Sequence, residues 1–219
     1  MWKRFVFILA LLLLSCMPSH TQTAANCNSH TRLPTHDAPN SVENDFGRPV
    51  LWAQDAFPIR VVMDSNMREK RKRVVTQAVI EWNTRTGLEV FTLEEGSEPS
   101  GNGTIWVVEE ALGENECGHQ LYGLARRFYN RDFFGIKMSI SRSRIRLHTG
   151  VPDERILSTA IHELGHALGL HHDRELESVM FPHNNGQRGS ITDEDRDYVI
   201  MMINGPRPEP HIDLNVSGF

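Results

Sequence analysis

Five residues within one short stretch have side chains and spacing suited to metal-assisted hydrolysis. His162 and His166 are four residues apart, so on a helix both imidazoles lie on one face, about one turn apart. Glu163, next to the first histidine, is placed to take a proton from a water held by the same ion. Gly169 can end the helix, because glycine reaches left-handed dihedral angles at little cost. The chain then turns and brings back a third imidazole, His172.

Three neutral nitrogen ligands and one position left for water are typical of a catalytic zinc site rather than a closed structural one. The motif of five residues at 162–166 also arises by chance in proteins that bind no metal. An ordinary helix with solvated histidines, however, explains neither Gly169 nor His172. The sequence therefore predicts one catalytic Zn²⁺ on His162, His166 and His172, with Glu163 as the general base.

The composition is that of an ordinary globular protein. The chain has 219 residues, of which 39% are hydrophobic and 23% charged, and its net charge is -5. This length allows one domain with a substantial core. A general nucleic-acid-binding protein would carry a strong basic excess, so we expect no nucleic-acid partner.

The N-terminus has the layout of a secretory signal. Lys3 and Arg4 precede an unbroken apolar run of ten residues, 5–14, followed by Ser15 and Cys16. Ten residues are too few for a membrane-spanning helix, which needs about 20. Residues 13–16 resemble a bacterial lipobox, so we expect 1–15 to be a signal peptide of the lipoprotein type, with Cys16 lipidated. The alternative is plain cleavage, with an unmodified Cys16 in the discarded peptide.

The segments that flank the predicted domain are polar. Residues 16–51 are rich in Ser, Thr, Asn, Pro and His, which indicates a tether or short pro-segment rather than core. We expect one folded domain at 52–206 and a C-terminal tail at 207–219. If Cys16 is lipidated, Cys27 and Cys117 remain as a possible disulfide in an exported chain.

Hydrophobic periodicity predicts eight elements in the domain. Pro152 and the acids after it favour a helix start, and residues 192–195 resemble a capping box with Asp in place of Glu. The predicted strands are 57–63, 88–93, 104–108, 121–129 and 136–141, and the predicted helices are 66–86, 153–168 and 193–203. We expect loops at 94–103 and 111–120, a turn at 130–132, a solvated basic run at 68–73, and core contacts from Tyr198, Val199, Met201 and Met202.

Residues 162–172 match the extended HExxHxxGxxH signature of the metzincin metallopeptidases, and Met180 lies where their Met-turn would be. The order of elements also fits from residue 52 to 206, and residues 178–182 look most like the matrixin branch. The resemblance implies an α+β, metzincin-like zincin fold. It comprises a five-stranded, mostly parallel twisted sheet with a backing helix and an active-site helix, and a small C-terminal lobe with the Met-turn and one helix.

Two residues depart from the matrixin pattern. Asp173 follows the third histidine, as in the adamalysin-like branch, where matrixins usually have Ser. Pro182 stands two residues after Met180, where astacin-like and serralysin-like enzymes have tyrosine, so we expect no tyrosine ligand. No matrixin-style cysteine-switch motif precedes the domain, although Cys27 remains an alternative zinc blocker because a thiolate binds zinc well.

The resemblance also bears on the other histidines. Its spacing favours His172 over the neighbouring His171 as third ligand. His119 lies in the loop where matrixins hold a structural zinc, but we find no full ligand set there and interpret it as a loop residue. His183 is a candidate for lining the pocket after the cleaved bond. Calcium is possible, but no calcium-loop motif supports it.

These residues predict a secreted, lipid-anchored, zinc-dependent endopeptidase. The expected partners are a protein or peptide substrate, bound as an added strand along 121–129, and the membrane through the lipid anchor. We expect a monomer in an extracytoplasmic location. Two alternatives stay open: a surface binding module that keeps zinc for structure, and an amide hydrolase with a non-protein substrate.

Overall fold

Five strands and three α-helices make up most of the part of the chain that the computed structural model describes, residues 50–115, 118–131, 138–173, 175–181 and 189–205. A 3₁₀ turn precedes them at Gln54–Ala56. The strands are β1 (Ile59–Asp64), β2 (Phe91–Gly96), β3 (Thr104–Glu110), β4 (Gly123–Arg131) and β5 (Met138–His148). The helices are α1 (Glu69–Thr86), α2 (Asp153–Leu168) and α3 (Asp193–Asn204).

The strands form one sheet in the order β2-β1-β3-β5-β4. All neighbouring pairs are parallel except β4 and β5, which are antiparallel. The predicted α+β fold with a five-stranded, mostly parallel sheet is therefore confirmed. Among the described strands β4 is the last of the sheet and pairs with β5 alone, and it also contacts α2.

Helices α1 and α2 pack on the same core. Helix α1 buries Val75, Ala78, Val79 and Trp82, the face that the periodicity predicts. The Trp82 indole donates from Nε1 to the backbone carbonyl of Ile161 in α2, at 3.0 Å. Gly87 ends α1 in the left-handed conformation, as predicted.

The N-terminal segment of the domain is fixed to the back of α2. The Trp52 side chain is fully buried and donates from Nε1 to the carbonyl of Ala167, at 2.9 Å. This long-range bond connects the first described residues to the end of the active-site helix.

Two predicted strands and one predicted turn are misplaced. The second strand lies at Phe91–Gly96 rather than 88–93, because the side chain of Asn83 accepts from the N–H groups of Val90 and Phe91 and holds the chain before the strand. The last strand continues to His148 rather than ending at 141. From Ser141 onward, buried residues alternate with partly exposed ones, three of which are arginines. These arginines concealed the strand pattern, because they are not typical strand residues.

The predicted turn at 130–132 is also wrong for its first two residues. Asn130 and Arg131 pair with β5 as the end of β4. The third residue, Asp132, is outside the described residues.

The basic run at the start of α1 is solvated only in part: Arg68, Lys70 and Arg73 are exposed as predicted, but the two residues between Lys70 and Arg73 are buried. Arg71 is only 3% exposed and Lys72 only 8%. The Arg71 guanidinium donates from Nε to Oε1 of Glu109 at 3.0 Å and from Nη2 to the carbonyl of Val151 at 2.9 Å. Lys72 donates to Ser65 and to the carboxylate of Glu95. Buried cations are retained because carboxylates and carbonyls compensate their lost hydration.

The C-terminal helix begins as predicted, but one of its four predicted core residues is exposed. Thr192 and Asp195 form the capping box, each side chain bonding the other's backbone N–H. Tyr198, Val199 and Met202 are buried, but Met201 is 50% exposed and supplies no core face.

No helix within the described residues is both long enough and apolar enough to cross a membrane.

Glu109 offers a test of the buried ion pair. Burial opposes its ionisation, but hydrogen bonds from Arg68 and Arg71 outweigh this and hold its pKa below the usual value. We expect Glu109→Leu to lower the free energy of unfolding by about 3–5 kcal/mol, because Arg71 would stay buried without its counter-ion.

The matched control for this change is Glu94→Leu. Glu94 pairs with Arg60, and both side chains are about half exposed, so the expected loss is below about 1 kcal/mol. Urea denaturation measures both variants, and equal losses would refute the assignment of Glu109 as the important partner.

Candidate metal centre

Helix α2 places two histidines on one side of its last two turns. The helix runs Asp153–Leu168 and buries Ile156, Ala160, Leu164 and Leu168 against the sheet and α1. His162 and His166 are partly buried beside this apolar face, as their spacing of four residues requires.

A sharp turn follows the helix at Gly169. The N–H of Leu170 donates to the carbonyl of Gly165 at 3.0 Å, and the N–H of Gly169 donates to that of His166 at 3.1 Å. This pair of bonds is a Schellman motif, which needs a residue of positive φ; Gly169 has φ +122°. The chain therefore reverses and carries His172 back toward α2.

Three imidazoles meet at this turn. One ring nitrogen each from His162, His166 and His172 lies within 4.8 Å of the other two. The ring centroids are 4.4 Å apart for His162 and His166, 4.8 Å for His166 and His172, and 5.3 Å for His162 and His172. His171 is not in this group.

Two backbone carbonyls fix the orientation of the helix histidines. Nδ1 of His162 lies 2.6 Å from the carbonyl of Val179, and Nδ1 of His166 lies 2.8 Å from that of Leu170. A carbonyl only accepts, so Nδ1 carries the hydrogen in both rings and Nε2 keeps its lone pair. Metal-binding histidines usually have such a second hydrogen bond.

The environment also keeps these rings neutral. Burial lowers the pKa of His162, although its hydrogen bond to Val179 partly opposes this. Burial holds the pKa of His166 well below its usual value, and the neighbouring His162, His172 and Arg127 add to the effect. Neutral imidazole is the form that binds a metal ion.

Glu163 lies between α2 and the edge strand β4. It is 5% exposed, and burial raises its pKa to about 8, although the backbone N–H of Ala125 donates to its carboxyl group and opposes this. A Cβ on Gly123 would lie 2.4 Å from Oε1 of Glu163, so the carboxyl group fits only against a glycine. Oε2 is buried and has no hydrogen-bond partner within the described residues.

Met180 is fully buried beneath the histidines. A Cβ on Gly165 would lie 2.4 Å from its Sδ and 3.2 Å from Cζ2 of Trp82, so α2 approaches both side chains only because residue 165 is glycine. Met180 therefore packs directly against the helix that carries two of the histidines, and its role as the Met-turn methionine stays a prediction.

A buried carboxylate holds the segment that contains Met180. Asp195 is 2% exposed, and its Oδ2 accepts from the hydroxyl of Ser178 at 3.0 Å and from the hydroxyl of Thr192 at 2.9 Å. The Ser178 hydroxyl in turn accepts from the N–H of Met180 at 2.9 Å. Burial raises the pKa of Asp195, while these hydrogen bonds oppose the rise.

Comparison with known proteins decides the family. The family model for matrixin matches residues 52–202, more than half of the chain. The chain belongs to the matrixin family. The predicted metzincin resemblance, most like its matrixin branch, is confirmed.

Two curated matrixin relatives match short stretches. Matrix metalloproteinase-2 of Drosophila melanogaster is 45% identical over 53 residues, 23% of this chain and 7% of that protein. Matrix metalloproteinase-9 of Canis lupus familiaris is 41% identical over 61 residues, 27% of this chain and 9% of that protein. The matches thus cover less than a tenth of either relative's length.

The matrixin family implies zinc, and the residues present fit that ion. Three clustered imidazoles, two of them with their Nδ1 hydrogens turned away to backbone carbonyls, and a buried carboxyl oxygen without a partner among the described residues suit an ion that holds a water. Asp173, the residue unusual for a matrixin, donates its N–H to the carbonyl of Met180 at 2.9 Å.

Four supporting residues have no counterpart among the sequence predictions: Gly123, Ala125, Arg127 and Gly165. The sequence predicts Asp195 only as a capping residue and does not predict its bond to Ser178. For Gly165 and Gly123 no sequence signal exists, because a glycine within a helix or strand shows its close neighbour only in three dimensions. Cys16, Cys27, Cys117, Pro182 and His183 lie outside the described residues, so their predicted roles stay predictions.

Zinc binding distinguishes the two adjacent histidines. We expect His172→Ala to weaken Zn²⁺ affinity by at least about tenfold, because one of three nitrogen donors is lost. His171→Ala is the matched control and should change the affinity little. Competition with a zinc chelator measures the affinity of both variants. A larger loss of affinity in His171→Ala would show that His171, not His172, is the third ligand.

Proposed function

We propose that this chain is a zinc-dependent endopeptidase, with His162, His166 and His172 as zinc ligands and Glu163 as the general base. The observation that carries the proposal is the meeting of three imidazoles beside a buried carboxyl group. That carboxyl group lies directly under β4, the last of the described strands, and can reach an extended peptide that pairs with this strand.

Zinc bound by these ligands would lower the pKa of a held water toward about 7 and polarise a peptide carbonyl. Glu163 accepts the proton of that water as its oxygen attacks the carbonyl carbon, and then delivers the proton to the leaving nitrogen. Its raised pKa suits this exchange, because the group both takes and returns a proton near neutral pH.

The edge strand β4 supplies the substrate-binding mode. Because β4 is the last of the described strands, an extended peptide can add beside it as another strand. The N–H of Ala125 bonds Glu163, which fixes the strand relative to the catalytic carboxyl group. Recognition along this edge reads backbone more than side chains, so we propose protein or peptide substrates in an extended conformation.

Supporting residues hold the ligands rather than react. Met180 fills the space under Gly165, and the carbonyl of Val179, next to it, orients His162. The ligand set is therefore pre-oriented before the metal binds, which reduces the ordering that metal binding must impose.

Removal of the general base is the direct test of the mechanism. We expect zinc-loaded Glu163→Ala to retain its metal and to lose about 10²–10⁴-fold in the rate of hydrolysis of denatured casein. Glu154→Ala, an exposed acid on the same helix, is the control and should cleave at the normal rate. A chelator should stop the wild type, and added zinc should restore it.

The outcomes separate the alternatives. Hydrolysis that survives in Glu163→Ala would refute the general-base assignment. A wild-type protein that binds zinc but cleaves no unfolded protein would favour a binding module. Cleavage restricted to non-protein amides would favour an amide hydrolase with a non-protein substrate.

We further propose export and anchoring through residues 1–15 as a lipoprotein signal and Cys16 as the lipidated residue, with 16–51 as tether. The apolar run and the Leu13 to Cys16 sequence support this. Mass spectrometry of the mature N-terminus should find diacylated Cys16. An unmodified N-terminus elsewhere would refute the anchor, and comparison of reduced and unreduced masses tests the Cys27–Cys117 disulfide.

A further inference from the structure

Arg127 places a positive charge against the metal centre. Alternate residues of β4 share one face, so Gly123, Ala125 and Arg127 all point toward α2. Arg127 lies at the end of the helix: a Cβ on Gly169 would be 4.0 Å from its Nη1. Gly169 follows His166 by three residues, so the guanidinium lies at the turn that carries the third histidine.

One nitrogen of the Arg127 guanidinium, Nη1, is buried without a hydrogen bond, as are single nitrogens of Arg71 and Arg144 within the described residues. By contrast, Arg146 pairs with Glu110, and Arg126 lies over the ring of Phe128 at 5.3 Å. A buried charged donor without a partner is costly, and a nearby divalent cation would add to the cost. An anion that enters the cleft would relieve both.

We propose that Arg127 selects substrates with an acidic side chain, Asp or Glu, one to three residues from the cleaved bond. This inference rests on the proposed endopeptidase function. Arg127 is four residues, about 13 Å, along β4 from Gly123, which lies over Glu163. Its guanidinium reaches the end of α2 at Gly169, so a peptide whose cleaved bond lies between Glu163 and Arg127 would pass it within a few residues of that bond. If the substrate pairs antiparallel to β4, the commoner arrangement, its N-terminal half runs past Arg127.

Arginine suits this role because its planar guanidinium binds a carboxylate with two parallel hydrogen bonds. The residue is a specificity determinant, since Glu163 and the three histidines carry the chemistry without it. The expected ligand is a carboxylate on an extended peptide, held between the edge strand and the end of α2.

A matched peptide set tests the proposal. Peptides of one sequence carry Glu, Gln or Lys at each of the three positions on either side of the cleaved bond. We expect the wild type to cleave the best Glu peptide with a kcat/KM about tenfold above its Gln counterpart. Arg127→Ala should bring that ratio near one, Arg127→Lys should restore part of it, and Arg127→Glu should favour Lys.

Arg126→Ala is the control, because this neighbouring arginine lies on the opposite face of β4 over Phe128 and should leave the ratio unchanged. A ratio of one in the wild type overturns the proposal. So does an equal loss on Glu and Gln peptides in Arg127→Ala, which would show a structural role alone. A preference that follows a free C-terminal carboxylate instead of the side chain also overturns it.

A binding measurement keeps the inference separate from the proposed activity. Fluorescence anisotropy of labelled Glu and Gln peptides on zinc-loaded Glu163→Ala reports selection without turnover. One outcome is that the wild type cleaves no peptide, while zinc-loaded Glu163→Ala binds the Glu peptide about tenfold more tightly than the Gln peptide and loses this difference without Arg127. The endopeptidase proposal then fails, but Arg127 still selects acidic peptides in binding. If the wild type cleaves peptides but shows no difference between Glu and Gln peptides in binding or in kcat/KM, the Arg127 proposal is refuted and the endopeptidase proposal stands.

Discussion

The reversal of the chain at Gly169 is the constraint on which the centre depends. A helix that continued past this residue would carry His172 away from His162 and His166. The Schellman bonds to Gly165 and His166 end α2, and positive φ at Gly169 permits them at no steric cost. The same turn supplies the carbonyl of Leu170 that orients His166, so one local structure both brings the third imidazole and fixes the second.

Two glycines allow backbone and side chains to pack closely on opposite sides of α2, next to this turn. Beneath the helix, Gly165 admits Met180 and Trp82, and above it, Gly123 admits the carboxyl group of Glu163. Asp195 then holds the Met180 segment through Ser178 and the start of α3 through Thr192. The centre is thus clamped between the sheet edge and the C-terminal helix.

Much of this arrangement follows from the sequence, and the exceptions have physical causes. Local signals were sufficient where chemistry is local: the spacing of His162 and His166, Gly87 and Gly169 at helix ends, and the capping box at Thr192. They failed where long-range pairing decides, as for the length of β5 and the burial of Arg71 by Glu109. No periodicity shows that a charged side chain has a partner 38 residues away.

The edge strand links the fold to its proposed activity. It is the last of the described strands, and its inward face carries Gly123 and Ala125 against Glu163 and then Arg127 beside the helix end. In the proposed mechanism, substrate placement, proton transfer and charge selection therefore all depend on one strand. The ligand set at its side must keep one position open for water if this strand is to present a peptide for hydrolysis.

X-ray absorption at the zinc edge of the zinc-loaded protein tests that requirement most directly. We predict three nitrogen neighbours and one oxygen neighbour at about 2.0–2.2 Å, with the histidine pattern in the outer shells. A sulfur neighbour at about 2.3 Å, or a fourth protein ligand in place of the water, would contradict an open catalytic centre.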